Sequence, residues 1–403
     1  KPGNPNIVYS NCKGRFGVYN RETGQEKQYY VGAGNMYGHN PKNLKFRFQR
    51  VSPIHVSPHN PDVVYHASQY LHKTTDDGVT WEIISPDLTA FTPETQKISG
   101  SPITRDITGE EFYSTIYSVR ESKLKAGQIW IGANDGPVHV TEDGGKNWKN
   151  VTPKDLKSGG RVDCVEPSTH DENKAYISIL RYQFGDWTPY IYKTENLGES
   201  WTLINNGIPN DYPVRVVRED PDREGLLYAG TEYGMFISFD DGESWQKFQM
   251  NLPVTPITDI KVHNQDLVIS TMGRSFWVLD NLTSIHQYSN EILSKSAHLF
   301  EPKSAHRMRF RGTSSRSIPN YPSASVSIDY HLKEDLKSPL ILEILNAENE
   351  VIRSFSSEKP KKDSLNREVD MATGFFFQGY NPNLKTKAGL HRFRWDMRHH
   401  GIW

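Results

Sequence analysis

The chain has 403 residues, enough for one large domain and a smaller one, and its 47 basic and 48 acidic side chains leave a net charge of −1. Such a balance provides no whole-molecule field for nucleic acid or an anionic membrane, and no stretch approaches the roughly 20 apolar residues of a membrane span. Aromatic residues make up 11% of a chain that is only 35% hydrophobic, a mixture that suits strands and predicts an all-β protein.

The first residues, KPGNPNIVYSN, show neither an initiator Met nor a signal peptide, and the last, RHHGIW, carry no polar tail. The expectation from these ends is a processed or truncated piece of a longer protein. GNPNIVYSN (3–11) also introduces a pattern, an apolar strand with an aromatic residue after a Pro, Asn or Asp turn. It returns as NPDVVYHAS (60–68), KAGQIWIGA (125–133), ENKAYISIL (172–180), REGLLYAGT (223–231) and, with no aromatic, NQDLVISTM (264–272). Four of these strands are followed by a second pattern: TTDDGVTWE (74–82), TEDGGKNWK (141–149), TENLGESWT (194–202) and SFDDGESWQ (238–246). Between Asp76, Asp143, Asn196 and Asp240 the intervals are 67, 53 and 44 residues, close to a four-stranded propeller blade. Six blade-like units thus run from residue 4 to about residue 290, with a seventh, or the missing strands of one blade, expected upstream of Lys1.

In each box the Asp or Asn satisfies local backbone donors and the Gly supplies a position with φ > 0. The Thr, Asn or Ser before the Trp can bond back to the acid, and Trp81, Trp148, Trp201 and Trp245 leave the turn to pack between blades. The predicted role of Asp76, Asp143, Asn196 and Asp240 is therefore structural. After the last unit, LTSIHQYSNEILSK (282–295) is helix-compatible and reads as a connector, and RGTSSRSIPNYPSAS as a linker. SVSIDYHL, LILEILNAENEVIRSFSS and AGLHRFRWDMR alternate like strands of an incomplete Ig-like β-sandwich. The expected domains are a propeller over 1–290, a connector and linker over 291–324, and the sandwich over 325–403. Cys12 and Cys164 suffice for one disulfide or for two free thiols.

The spacing S/T-x-D-x-G-x-T-W resembles the Asp-box, or BNR repeat, shared by sialidases, xyloglucanases, sortilin receptors and photosystem assembly factors. FQRVSPIHVSPHNPDVVYHASQYLHKTTDDGVTWEIISPDLT, SPITRDITGEE, VREDPDREGLLYAGTEYGMFISFDDG and GLHRFRWDMR are similar to the C-terminal half of large exported bacterial proteins called sortilin-like or BNR-repeat glycosyl hydrolases. The resemblance implies a six- to seven-bladed Asp-box propeller, a second propeller upstream in the same parent chain, and a secreted, periplasmic or cell-surface location.

Propeller geometry directs the search for a site. With the box between the third and fourth strands, the second-to-third turns and the links between blades share the opposite, top face. The longest link, 85–111, carries Arg105, Asp106, Glu110 and Glu111, with Tyr113 just beyond. The turns add Asn134 and Asp135, then Arg181, Tyr182, Asp186 and Trp187, then Glu232 and Tyr233, then Arg274; inner strands add Arg161, Asp163 and Asp259. Asp106, Glu110 and Glu111 are the candidate catalytic acids, since two carboxylates about 5 Å or about 6.5–9.5 Å apart perform retaining or inverting glycoside hydrolysis. Arg105, Tyr113, Asp135, Arg181, Tyr182, Trp187, Glu232, Tyr233 and Arg274 are candidate ligand contacts, the aromatic rings by stacking on a sugar. A sialidase would need Arg105, Arg181 and Arg274 around one carboxylate with Tyr113 as nucleophile, but the local contexts of that chemistry are not recognisable.

The histidines His55 and His59 lie in a Pro-interrupted strand, where i and i+4 are about 13 Å apart, so no transition-metal site is predicted. No cofactor is implied, although loop carboxylates could hold a structural calcium. Two functions fit: a propeller that binds a glycan, peptide or protein, and a glycoside hydrolase resembling xyloglucanases.

Overall fold

A computed structural model describes residues 1–32, 36, 38–97, 112–307, 325–358 and 384–397. They divide into two compact units, residues 1–262 with 268–277, and residues 263–267 with 278–403. The protein is all-β, a β-propeller built from successive antiparallel sheets. The first sheet is β1 (Ile7–Cys12), β2 (Arg15–Asn20) and β3 (Glu26–Tyr30); the second is β4 (Ile54–Val56), β5 (Val64–Ala67), β6 (Leu71–Thr74) and β7 (Glu82–Ile83). The third is β8 (Ile116–Glu121), β9 (Ile129–Ala133), β10 (Val138–Thr141) and β11 (Lys149–Asn150). The fourth is β12 (Arg161–Pro167), β13 (Ala175–Leu180), β14 (Tyr190–Thr194) and β15 (Thr202–Leu203). The fifth is β16 (Val214–Glu219), β17 (Leu227–Thr231), β18 (Gly234–Ser238) and β19 (Gln246–Lys247), and β20 (Ile257–His263), β21 (Asp266–Thr271) and β22 (Phe276–Leu279) form a sixth.

Burial explains the strand sequences. The second strands β5, β9, β13 and β17 are buried at every position because a neighbouring sheet covers each face, so they are mainly apolar and aromatic, with small residues and single polar ones (His66, Ser178, Thr231) and no polar alternation. The fourth strands β7, β11, β15 and β19 are two exposed residues each, too short to offer a pairing edge.

The boxes form one hydrogen-bonded turn repeated four times. Thr74 Oγ1 donates to Asp76 Oδ1 at 2.8 Å and accepts the Gly78 amide at 2.9 Å; Asp76 then takes the Thr80 amide at 2.9 Å and its hydroxyl at 2.7 Å. Asp143 and Asp240 repeat this with Asn147 and Ser244. Where Asn196 replaces the acid, its Nδ2 donates to Ser200 Oγ at 2.9 Å, so the bond survives with its polarity reversed. The backbone enters the left-handed region twice in succession, at Asp77 and Gly78 (φ 55° and 92°) and at Leu197 and Gly198 (φ 53° and 79°). The sequence predicts only the glycine; the residue before it is held there by the flanking bonds despite its side chain.

Each later box is also fastened to the sheet before it. The indole N–H of Trp148 donates to the carbonyl of Ile84 at 3.0 Å, that of Trp201 to Val151 at 2.6 Å, and that of Trp245 to Ile204 at 2.8 Å. The acceptor always lies three residues beyond the Trp of the preceding box. Trp81 has no preceding box; its N–H turns back to Gly78 and its ring meets Phe16 edge-on at 5.1 Å. A Cβ on Gly145 would lie 2.4 Å from the Ile84 carbonyl oxygen, so the glycine is demanded by the neighbouring sheet as well as by its φ of 98°.

In the second unit β23 (Ala297–Leu299), β24 (Val326–Leu332) and β27 (Gly389–Trp395) form one sheet, and β25 (Ile341–Leu345) and β26 (Val351–Ser356) a hairpin. Ile328, Tyr330, Leu332, Phe355, Leu384 and Phe393 make its core. The hairpin turns at NAEN, where Asn346 Oδ1 accepts the Glu348 and Glu350 amides at 3.0 and 2.8 Å. The sequence ends the propeller at residue 290, whereas the second unit takes in everything from Val278. Arg392 of β27 accounts for this, binding the carbonyls of Asp280 and Asn281 at 2.7 and 2.9 Å. Within 291–324, expected as connector and linker, Ala297 pairs with Leu332 in the sheet. The helical connector is two single turns, α1 (Thr283–Gln287) and α2 (Asn290–Ser294), with Ser289 capping the second. Residues 308–324 of the expected linker lie outside the described residues. Cys12 and Cys164 are free thiols.

Two predictions follow from this packing. Gly145→Ala lowers stability by about 2 kcal/mol or more in urea unfolding, because a methyl group must displace a backbone carbonyl at a positive-φ position. The second concerns His66, His72 and His139. Burial depresses these imidazoles, to about 4 for His66 and His139 and about 3 for His72. Unfolded, each takes its proton near pH 6.5, so below that pH the unfolded chain binds more protons. Stability that is full above pH 6.5 is therefore lost as pH falls toward 4, by up to about 1.4 kcal/mol per pH unit per histidine. Thermal melts between pH 8 and 4.5 check this, and His72→Gln flattens the slope.

Candidate binding face

Antiparallel order puts the box turns at the end of each sheet where the first strand joins the second, and the second-to-third turns at the other end. At that end, 134–137 join β9 to β10, 181–189 join β13 to β14, and 232–233 join β17 to β18.

The polar residues here are occupied in holding the turns. Asp135 is buried and its Oδ2 accepts the amides of Ala90 and Phe91 at 3.0 and 3.2 Å, fastening the described part of the long link. Burial pushes its carboxyl up, against the hydrogen bonds from Ser114 and these amides. Asn134 bridges the Thr115 amide and the Phe112 carbonyl, each at 2.9 Å. Arg181, also buried, binds Asp186 at 3.1 Å and the carbonyls of Lys157, Ser158 and Gly159, tying a turn to the link that enters β12. Tyr113 is buried, and its hydroxyl is pushed up by burial and by the Asp135 charge.

At the start of the inner strands lies an ion-pair network. Arg215 Nη2 meets Glu232 at 2.6 Å and its Nη1 lies 3.8 Å from Asp163, which also pairs with Arg161. The Arg161 guanidinium stands over the Tyr117 ring at 4.5 Å. Two cations and two carboxylates balance, and Arg215 sits between the two acids. Asp259 belongs elsewhere, paired at 2.7 Å with Arg218.

The rings, in contrast, face solvent. Trp187 is 45% exposed and Tyr233 36%; Tyr182 lies 5.7 Å from Trp187, and Tyr212 supports Tyr233 at 4.7 Å. Arg274 is exposed on the turn after β21, its carbonyl taking the Trp277 indole N–H. Arg105, Asp106, Glu110 and Glu111 lie outside the described residues. The sialidase arrangement meets two physical obstacles: Arg181 is spent on Asp186 and three carbonyls, and the Tyr113 hydroxyl is pushed away from the phenolate a nucleophile needs. Sequence reading missed Arg215, Tyr212 and Phe184, the last 39% exposed beside Arg181. Arg215 was recoverable, because PVRVVRED sets a charged residue among the apolar residues that open an inner strand.

The chain is similar to xyloglucanases. It is 26% identical over 113 residues to an oligoxyloglucan-reducing end-specific xyloglucanase of Emericella nidulans, covering 27% of this chain and 13% of that one. Among solved structures, the family 74 xyloglucanase of Xanthomonas campestris matches 70% of the chain and 44% of its own length, at 17% identity and a TM-score of 0.49. The YCF48 protein bound to a D1 peptide matches 69% of the chain and 76% of its own length, at 12% identity and a TM-score of 0.43. No family model matches. The chain thus spans a small part of the curated relative and less than half of the Xanthomonas enzyme.

Arg215→Met strips both Asp163 and Glu232 of a shared counter-charge. Urea unfolding should show a loss on the order of 3 kcal/mol, and Glu232→Gln in the same background should recover part of it.

Proposed function

We propose that the propeller is a binding module of an exported protein, and that its second-to-third-turn end recognises a glycan, a peptide or a protein surface. One observation carries this reading. On the second-to-third turns, Asp135 is held by backbone amides and Asp186 and Glu232 each by an arginine, while Trp187, Tyr233 and Phe184 remain exposed. Such rings offer large contact area at little entropic cost, the usual composition of a recognition surface. A secreted, periplasmic or cell-surface setting and an upstream propeller belong to the same proposal, resting on the resemblance to exported Asp-box proteins.

A second reading is a glycoside hydrolase. The 113-residue similarity to a xyloglucanase favours it, and its acids would be drawn from Asp106, Glu110 and Glu111. The two readings separate in one experiment: a glycan array probed with the chain, followed by reducing-sugar release from whatever binds. Under the binding reading, sugar is retained without release, and Trp187→Ala weakens retention roughly 5- to 30-fold, about 1–2 kcal/mol. Release that vanishes in Asp106→Asn or Glu111→Gln establishes the enzyme instead. An array without signal, with an envelope-protein pull-down that Trp187→Ala abolishes, assigns the face to a protein ligand.

A further inference from the structure

At the other end of the inner strands the charges do not balance. The strand registers place one residue of each sheet at an equivalent position, opposite the aromatic of the second strand: His55 opposite Tyr65, Arg120 opposite Trp130, Glu166 opposite Tyr176 and Arg218 opposite Tyr228. In β20 the matching residue is Lys261, four beyond the buried Ile257 as Arg120 is four beyond Ile116 and Arg218 four beyond Val214. The inner strands lie side by side, bonded by Ser118 Oγ to the Val165 amide at 2.9 Å, Cys164 Sγ to the Val217 carbonyl at 3.3 Å, and Arg218 Nε to the Ile260 carbonyl at 3.1 Å. These five side chains therefore stand in one row at matching positions of the inner strands, with Arg120, Glu166 and Arg218 each between buried neighbours. Lys123, exposed just beyond β8, adds a further charge at the same end.

Only Arg218 has its counter-charges, Glu166 at 3.1 Å and Asp259 at 2.7 Å. Arg120 donates one Nη1 bond to its neighbour's carbonyl, Val119, at 3.2 Å, and among the described residues neither it, Lys123 nor Lys261 has a carboxylate within ion-pairing distance. His55 Nε2 is inaccessible and has no hydrogen-bond partner among the described residues. The groups feel one another: burial and the charges of Arg120, Lys261 and Lys123 hold the His55 imidazole neutral, down to about 3, and burial with Arg120 and Lys123 pulls the Lys261 ammonium below the ordinary lysine range, against the opposing charge of Glu166. Three cations without a carboxylate at ion-pairing distance, gathered around an imidazole nitrogen cut off from water, repel one another unless an anion joins them.

We propose that the row of His55, Arg120 and Lys261, with Lys123 at its mouth, is an oxyanion-binding site at the box end of the propeller axis. Arg120 supplies a planar fork of donors for two oxygens of a carboxylate, phosphate or sulfate, Lys261 and Lys123 supply point charge, and His55 supplies a neutral N–H if its Nε2 carries the proton. The site is separate from the aromatic face, at the opposite end of the same strands, and does not depend on what that face binds.

The test is isothermal titration of the full chain at low ionic strength with sodium phosphate, sulfate and acetate, against sodium chloride at matched ionic strength. Saturable binding of at least one oxyanion, absent for chloride, is the expected result; acetate alone identifies a carboxylate ligand, phosphate or sulfate a tetrahedral one. Arg120→Gln with Lys261→Gln should weaken it at least tenfold, while the anion-free variant melts no lower than the parent because repulsion has been removed. Should that variant fail to fold, Lys123→Gln with Lys261→Gln, both at exposed positions, takes its place. Equal heats with chloride, no saturable binding, or undiminished affinity in the folded variant overturns the proposal.

Discussion

The propeller depends on one contact made three times, the indole N–H of a box tryptophan on a carbonyl of the preceding sheet. A blade has only four strands and cannot bury both of its faces alone. The tryptophan covers the outer part of that seam with its ring, and its N–H fixes how far one sheet is displaced from the next. The box exists to aim it. Thr, Asp and Gly lock the turn from inside, and the lock holds even where Asn196 reverses a bond.

Because the seams are closed at the box side, the second-to-third turns at the far end are free to differ. They do: 134–137 is tight and 232–233 tighter, while 181–189 runs out to Trp187. Yet the polar residues of these turns are committed to holding them, Arg181 to three carbonyls and Asp135 to two amides. The large rings Trp187, Tyr233 and Phe184 stay exposed beside them. Chemistry by paired acids would require carboxylates free of arginine, and Glu232 and Asp163 share Arg215.

The two ends of the inner strands differ in the same terms. Near their start, Arg161, Asp163, Arg215 and Glu232 compensate one another and form a rigid, neutral plug. Near their finish, Glu166 and Asp259 come within ion-pairing distance of Arg218 alone among the described cations, and the Glu166 charge reaches Arg120, Lys123 and Lys261 only from farther off. A structural network has no reason to leave Arg120 and Lys261 unanswered beside a buried imidazole, whereas a site for an anion does.

The boxes were readable in the sequence because the bonds that lock their turns span two to four residues, so spacing alone encodes them. The repeating strands were readable for a related reason: burial on both faces leaves an apolar run that returns once per sheet. Other features lay beyond any local reading. Arg215 meets Glu232 across 17 residues, Arg392 grips Asp280 across 112, and the latter moves the boundary between the units to Val278. Nothing near Leu197 announces a left-handed backbone, since the turn imposes it against the residue's own preference. By itself the sequence determined the repeating unit and its turn, which are local hydrogen bonds and periodic burial. Which charges are paired, which rings stay in water and which cations stand unanswered was decided only when the inner strands came side by side, because ion pairing and desolvation depend on neighbours that the chain brings from other sheets.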